Sequence, residues 1–263
     1  MRYSAIRRAS ISLVVVAVLQ WSCSAADQAL GSVSATTAAS LAAPATQASP
    51  ALPSSCQNNL FPVKDSAIWT YTGRFGKSAY TRVFTVTNMG SNDFQGTMLI
   101  TDGSGNVLVD STDSWHCTTA GLVELAGPLG ATLQSAYGAA DMKTLSTSGV
   151  TIPIQIEAGD TWGQVSELEF TSAQQTNQAT LTYNYSAFGS EQVTVPAGTF
   201  NAMKVQVHAS TQAVLSGQSV AVTVSGFEWF APGVGHIKSS ETVYALGIPF
   251  ASEEGELQSY KIP

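Results

Sequence analysis

From Cys56 to the C-terminus, apolar and polar residues alternate with a period of two, in runs rich in Val, Thr, Tyr, Phe and Trp. A run of that kind suits a strand with one face buried and the other in water, because successive side chains on a strand point to opposite sides. The alternation predicts strands over 67–73, 79–89, 93–102, 107–117, 121–125, 161–172, 179–191, 193–195, 202–210, 213–226, 228–230, 234–243 and 254–260. No long helical period competes. The stretch 127–147 contains Ala, Leu and Met but is broken by Gly130 and Gly138, so a short helix or an irregular excursion is expected there.

The connections fit antiparallel pairing. Segments 88–92, 101–106 and 215–218 supply the Gly, Asn and Asp that tight reversals need. The order of segments has no strand-helix-strand alternation, no glycine-rich phosphate loop and no strand-Ser-helix elbow, which argues against a doubly wound enzyme fold. The expected class is all-β with little helix: a large curled antiparallel sheet forming an open barrel or a sandwich.

The first 23 residues read as an export signal. Arg2, Arg7 and Arg8 precede an apolar run over 11–19, nine residues long and about half of a membrane span. Two processing routes are open. Ser24, Ala25 and Ala26 offer small residues for ordinary cleavage, whereas Cys23 closes a segment resembling a bacterial lipoprotein box and is then the acylation site. The box is imperfect, with Gln20 where Leu is usual and Trp21 where a small residue is usual. In an oxidising compartment Cys56 and Cys117 can pair, which leaves Cys23 as the odd thiol and favours lipidation. Residues 24–54 are Ala, Ser, Thr, Gln, Gly and Pro with no apolar periodicity, a disordered linker, and 55–263 is expected to form a single domain.

Charge narrows the partners. Charged residues make up 11% of the chain, against roughly 25% in an ordinary soluble domain. Loss of the three leader arginines moves the formal net charge from -7 to -10, so a nucleic-acid phosphate backbone would be repelled.

Two stretches echo one another: Leu60-Phe61-Pro62-Val63 before Trp69, and Thr151-Ile152-Pro153-Ile154 before Trp162. Either a substructure is repeated or one packing problem is solved twice. More distinctive are Trp69-Thr70-Tyr71, the run Val195-Pro196-Ala197-Gly198-Thr199-Phe200, and the run Trp229-Phe230-Ala231-Pro232-Gly233-Val234-Gly235. Together they resemble the DUF3108-type β-domains of bacterial lipoproteins and secreted proteins. That resemblance implies an all-β cell-envelope protein, distantly similar to the curved-sheet lipoprotein carriers that hold acyl chains. It brings over no catalytic residue.

Chemistry-bearing clusters are sparse. His116, His208 and His236 show no metal-ligand spacing, and His116 and Cys117, as strand neighbours, point apart. The acidic sets Asp110/Asp113, Glu167/Glu169 and Glu253/Glu254/Glu256 are read as solvated faces, and Asp102-Gly103-Ser104-Gly105-Asn106 as a hairpin turn rather than a calcium loop. No catalytic residue, cofactor or metal is therefore expected. The aromatics Trp69, Trp115, Trp162, Trp229 and Phe230 are core residues or ligand contacts, and Trp229 and Phe230 should face opposite sides.

The leading function is a noncatalytic envelope domain holding an apolar or amphipathic ligand, such as a lipid, in the sheet's concavity. The alternative is a structural or protein-interaction lipoprotein without a pocket, paired with an envelope protein. A hydrolase, third, needs a cleft joining His208 or His236 to a Ser and an acid. The expected protein is a monomer of the periplasm or the outer membrane, in membrane contact through acylated Cys23.

Overall fold

The alternating runs become strands of one antiparallel sheet. The structure, a computed structural model, describes residues 56–125, 140–172, 174–215, 218–245 and 247–263. The leader, Cys23, the whole linker and residues 126–139 lie outside the described residues. One compact unit spans Pro50–Pro263. Its strands are β1 (Ile68–Phe75), β2 (Ser78–Thr87), β3 (Asp93–Asp102), β4 (Val107–Cys117), β5 (Gly121–Leu125), β6 (Ala140–Gly149), β7 (Ile152–Pro153), β8 (Thr161–Ser172), β9 (Gln175–Val195), β10 (Gly198–Leu215), β11 (Gln218–Ala231), β12 (Gly235–Ala245) and β13 (Ile248–Lys261).

Three expectations need correction. The second half of the supposed excursion over 127–147 is β6, whose Thr- and Ser-rich run pairs along β8 as an edge strand, where one-sided burial demands little apolar pattern. The run 213–226 is not one strand: β10 ends at Leu215 and β11 begins at Gln218, paired with each other across a hairpin. The runs 179–191 and 193–195 are one strand, β9, that continues through Gln192.

Strand order is β6-β8-β9-β10-β11-β12-β13-β1-β2-β3-β4-β5-β7. Two features of this order set the architecture. The first strand pairs with the last, Ile68 opposite Lys261 and Phe75 opposite Glu253, in the middle of the sheet. The outermost strands, β6 and β7, are consecutive in the chain, with only Val150 and Thr151 between them. The sheet must therefore curl until its two ends come within reach. Val150 N–H donates to Gly163 of β8 at 3.0 Å, and Thr151 N–H donates to Leu122 of β5 at 2.9 Å.

The ladder does not close into a barrel; side chains complete the seam. Gln164, buried on β8, donates through Nε2 to the Glu124 carbonyl at 2.6 Å. Its Oε1 accepts from Thr151 Oγ1 at 2.5 Å, and that same hydroxyl accepts from Glu124 N–H at 2.7 Å. The Trp162 indole N–H donates to the Thr151 carbonyl at 3.0 Å. Two edges that would otherwise bury unpaired polar groups are thus satisfied by a buried amide and a hydroxyl.

One end of the curl is stopped by the segment before β1. Phe61 stacks at 5.7 Å on Trp69 and 5.3 Å on Trp115, beside the fully buried Phe94. Cys56 is disulfide-bonded to Cys117, Cα atoms 5.0 Å apart, which pins the stopper to β4. The turn between β11 and β12 docks on the same segment: Gly233 N–H donates to the Asn59 carbonyl at 2.7 Å, and the Trp69 indole donates to the Val234 carbonyl at 2.6 Å. At Gly235 φ is 108°, a backbone conformation that L side chains rarely adopt, so the turn calls for glycine.

Candidate binding concavity

Strand parity decides which side chains enter the curl. On β2 the inward set is Tyr80, Arg82, Phe84 and Val86; on β12 it includes Ile237, Ser239 and Glu241. Register lines these up across strands. One rung runs Tyr80, Gly73, Gly255, Ser239, Glu228 across β2, β1, β13, β12 and β11. The neighbouring rung runs Phe75, Glu253, Glu241, Gly226.

The glycines make room. A Cβ on Gly73 would strike the Tyr80 ring, and one on Gly255 would lie 2.8 Å from both Tyr80 Oη and Ser239 Oγ and 3.0 Å from Glu253 Oε1. Tyr80 therefore lies across two glycines and donates its hydroxyl to Glu253 Oε1. Arg82 stands over the Tyr71 ring, 4.5 Å from its centroid, a cation-π contact inside the curl. Tyr71 donates its own hydroxyl to the His236 carbonyl at 2.9 Å.

The interior is thus acidic and only partly shielded. Arg82, Glu228, Glu241 and Glu253 are half-buried, while Asp113 of β4 and Glu124 of β5 are buried. Burial, with Glu253 adding and Arg82 opposing, raises Glu228 to about 7. Burial, then the charges of Glu228 and Glu253, holds Glu241 well above the ordinary carboxyl range. Their mutual hydrogen bond lowers Glu228 and raises Glu241, so Glu241 keeps the proton and donates it to Glu228. Burial lifts Asp113 to about 6, and burial followed by Asp113 and Glu228 lifts Glu124 further. His236 is pushed down to about 3 by burial and by Arg82, hence neutral. For Arg82, burial opposes the charge, but Tyr71, Tyr80, Glu253 and Glu241 outweigh it and its pKa is raised.

Two of the acidic sets read as solvated faces are corrected here. Asp113 shares parity with Trp115 and Cys117 and turns inward, while Asp110 stays outside; Glu253 shares parity with Gly255 and Leu257 and turns inward, while Glu254 stays exposed. Glu256 sits on the outer face, 3.0 Å from Lys238. Glu167 also faces out and accepts from Thr180 Oγ1 at 2.9 Å. Asp102 accepts from the backbone N–H groups of Ser104 and Asn106, each at 2.8 Å, as a hairpin turn.

The aromatics separate by face. Trp69 and Trp115 belong to the stopper, and Trp162 stacks on Tyr185 at 5.3 Å beside the seam. Trp229 lies on the outer face, donating to Glu191 Oε1 at 2.6 Å with the Lys204 ammonium 5.3 Å from its ring. Phe230 turns inward and meets His236 at 5.5 Å. His116 and His208 are exposed. Among the described residues no group of three His, Cys, Asp or Glu is placed to hold a metal ion. An open groove of about 980 Å³ runs outside the stopper, between Cys56–Lys64 residues and Ile154, Ile156 and Met203; no member of the carboxyl cluster lines it.

Arg82 and Glu241 carry no motif in the sequence, and Glu228 opens the run through Trp229-Phe230 that resembles the family without any role attached to it; the signal for all three is parity with inward neighbours such as Phe84, Phe230 and Ile237.

The DUF3108-like family model matches residues 69–244. Among solved structures, a Bacteroides fragilis protein described as exported and as having a YmcC-like fold superposes with a TM-score of 0.50 at 15% identity, over 76% of this chain and 98% of that one. A Parabacteroides distasonis protein described as a lipoprotein gives a TM-score of 0.47 at 15% identity, over 78% of this chain and 99% of that one. At that identity the first likeness is one of fold. No curated protein matches the chain.

Proposed function

This chain belongs to the DUF3108-like family, and from that premise we propose a noncatalytic envelope domain that takes an apolar or amphipathic ligand into the concavity of its curled sheet. The observation that carries this reading is the cluster of polar side chains inside the curl, Arg82, Glu228, Glu241 and Glu253, with Phe75 paired beside it. A domain with no cargo gains nothing from half-buried carboxyls, because each costs desolvation free energy that an apolar side chain would avoid. The export leader read in residues 1–23 supports delivery to the envelope, and acylation of Cys23 would tether the domain through the 24–54 spacer.

Native mass spectrometry of the Cys23→Ser chain, purified from an exporting host without detergent, tests the cargo reading. A bound mass that disappears on organic extraction is expected. A clean apo mass together with no saturable uptake of a fluorescent lipid would overturn it. A second reading, a partner-binding module, is favoured by apolar side chains at the hairpin ends remote from the stopper, where Ile248 is 68% and Val107 60% exposed.

A further inference from the structure

We infer that the concavity is built for an amphipathic molecule with a protonated amine head, held among Glu228, Ser239, Glu241 and Glu253, its apolar part directed toward Phe75 and Phe250. This rests on the cargo reading and specifies the head group.

The charge count comes first. Three adjacent strands, β11, β12 and β13, bring Glu228, Glu241 and Glu253 together on neighbouring rungs, with Glu241 directly opposite Glu253. Glu241 carries the proton it donates to Glu228, so acceptor oxygens outnumber positive charge here: among the described residues the guanidinium facing the cluster is Arg82, which also stands over Tyr71. Around this group stand Tyr71 of β1, Tyr80 of β2 and His236 of β12, with Asp113, Glu124 and Tyr185 on the facing wall; none of these supplies a second positive charge at neutral pH.

Unpartnered atoms come second. Ser239 is 4% exposed, and its Oγ has no hydrogen-bond partner. It sits beside Tyr80 Oη and Glu253 Oε1, the three atoms together filling the space above Gly255. Glu253 Oε2 is likewise buried without a partner. The Tyr80 hydroxyl already donates to the other oxygen of that carboxylate. An ionised carboxylate can only accept, and a serine hydroxyl can accept as well. The missing element is a donor with positive charge, which an alkylammonium supplies and a sulfate, phosphate or carboxylate head does not.

Apolar surface lies beside the charge. Phe75 is paired with Glu253 across the ladder. Phe250, 45% exposed, is 6.5 Å from Phe75, and exposed Ile248 follows at the same strand end. An alkyl chain leaving an amine held by this cluster meets these side chains as it runs outward.

The test uses the full chain carrying Cys23→Ser, purified without detergent, and isothermal titration at pH 8 with decylammonium chloride and with sodium decyl sulfate, both below micelle formation. Decylammonium is expected to bind saturably at one site, at least about tenfold tighter than decyl sulfate. Its affinity should drop at least about tenfold at pH 5.5, because a proton on Glu228 then competes with the amine. The double variant Glu228→Gln/Glu241→Gln should weaken decylammonium at least about tenfold without lowering the thermal midpoint, since two repelling carboxyls are removed. Ser239→Ala, which changes no charge, should weaken it several-fold. Unchanged decylammonium affinity in both variants overturns the inference. Equal or tighter binding of decyl sulfate, in competition with decylammonium, also overturns it while leaving the cargo reading standing; no saturable binding of either amphiphile removes both.

Discussion

Tyr80 depends on what is missing beneath it. Its ring occupies the space that side chains on Gly73 and Gly255 would fill, and its hydroxyl reaches Glu253 only because of that. Gly73→Val should therefore displace the ring and overlap the Glu254 carbonyl, at a cost of about 2–3 kcal/mol typical of overpacking. Urea unfolding monitored by Trp fluorescence reads this loss, and Gly76→Ala, at a position with open space around it but a φ of 58°, separates backbone strain from overlap. The same residues show how much of the site was legible. Strand positions could be read from alternation, and with them the parity that turns Asp113 and Glu253 inward. What alternation alone does not say is which face of a strand will be concave, and a carboxyl in phase with Leu257 or Cys117 looks like a solvated residue until the curl is known.

Among the elements, the seam is the joint that local sequence hides. β6 carries Lys143, Thr144, Ser146, Thr147 and Ser148 and exposes Leu145, so it offers no apolar stripe; its strand character comes from pairing with β8. β7 is two residues long and is held by Gly121 and Leu122. Alternation was sufficient for the strands with a buried face, and it failed at these short or one-sided ends, where tertiary pairing decides. Gln164 is the side chain on which the joint turns. Gln164→Leu should strip partners from the Glu124 carbonyl and the Thr151 hydroxyl, costing about 2 kcal/mol. Amide hydrogen exchange should then speed up at Val150 and Thr151 before it does in β10 or β11; uniform protection across the sheet would show that the seam carries no local stability.

For the whole molecule, the inward carboxyls set the response to pH. Glu228 titrates near 7 and Asp113 near 6 in the folded chain, with Glu241 and Glu124 held well above the ordinary range; unfolded, all four titrate near about 4. The folded state keeps protons that the unfolded state has lost, so their stabilisation is full below pH ~4 and is lost as pH rises through 6, 7 and beyond. His236, held near 3 against about 6.5 unfolded, works the other way and favours unfolding as pH falls through that window. With four groups against one, the thermal midpoint should peak near pH ~4 and fall by at least roughly 5 °C by pH 8. Calorimetry across that range measures it, and Glu228→Gln should flatten the slope. A midpoint that rises steadily from pH 5 to 8 would contradict the inward carboxyls.

The pairing of β1 with β13 also fixes an order of events. As the chain emerges N-terminus first, β1 can hairpin with β2 at once, but its other edge has to wait for the last strand to arrive. Two half-sheets with open edges must coexist until then, and their merger is a contact between residues nearly the whole domain apart, the kind of closure that makes folding slow. A polypeptide stopped short of residue 248 keeps both edges bare, so commitment to the native state belongs to the completed chain.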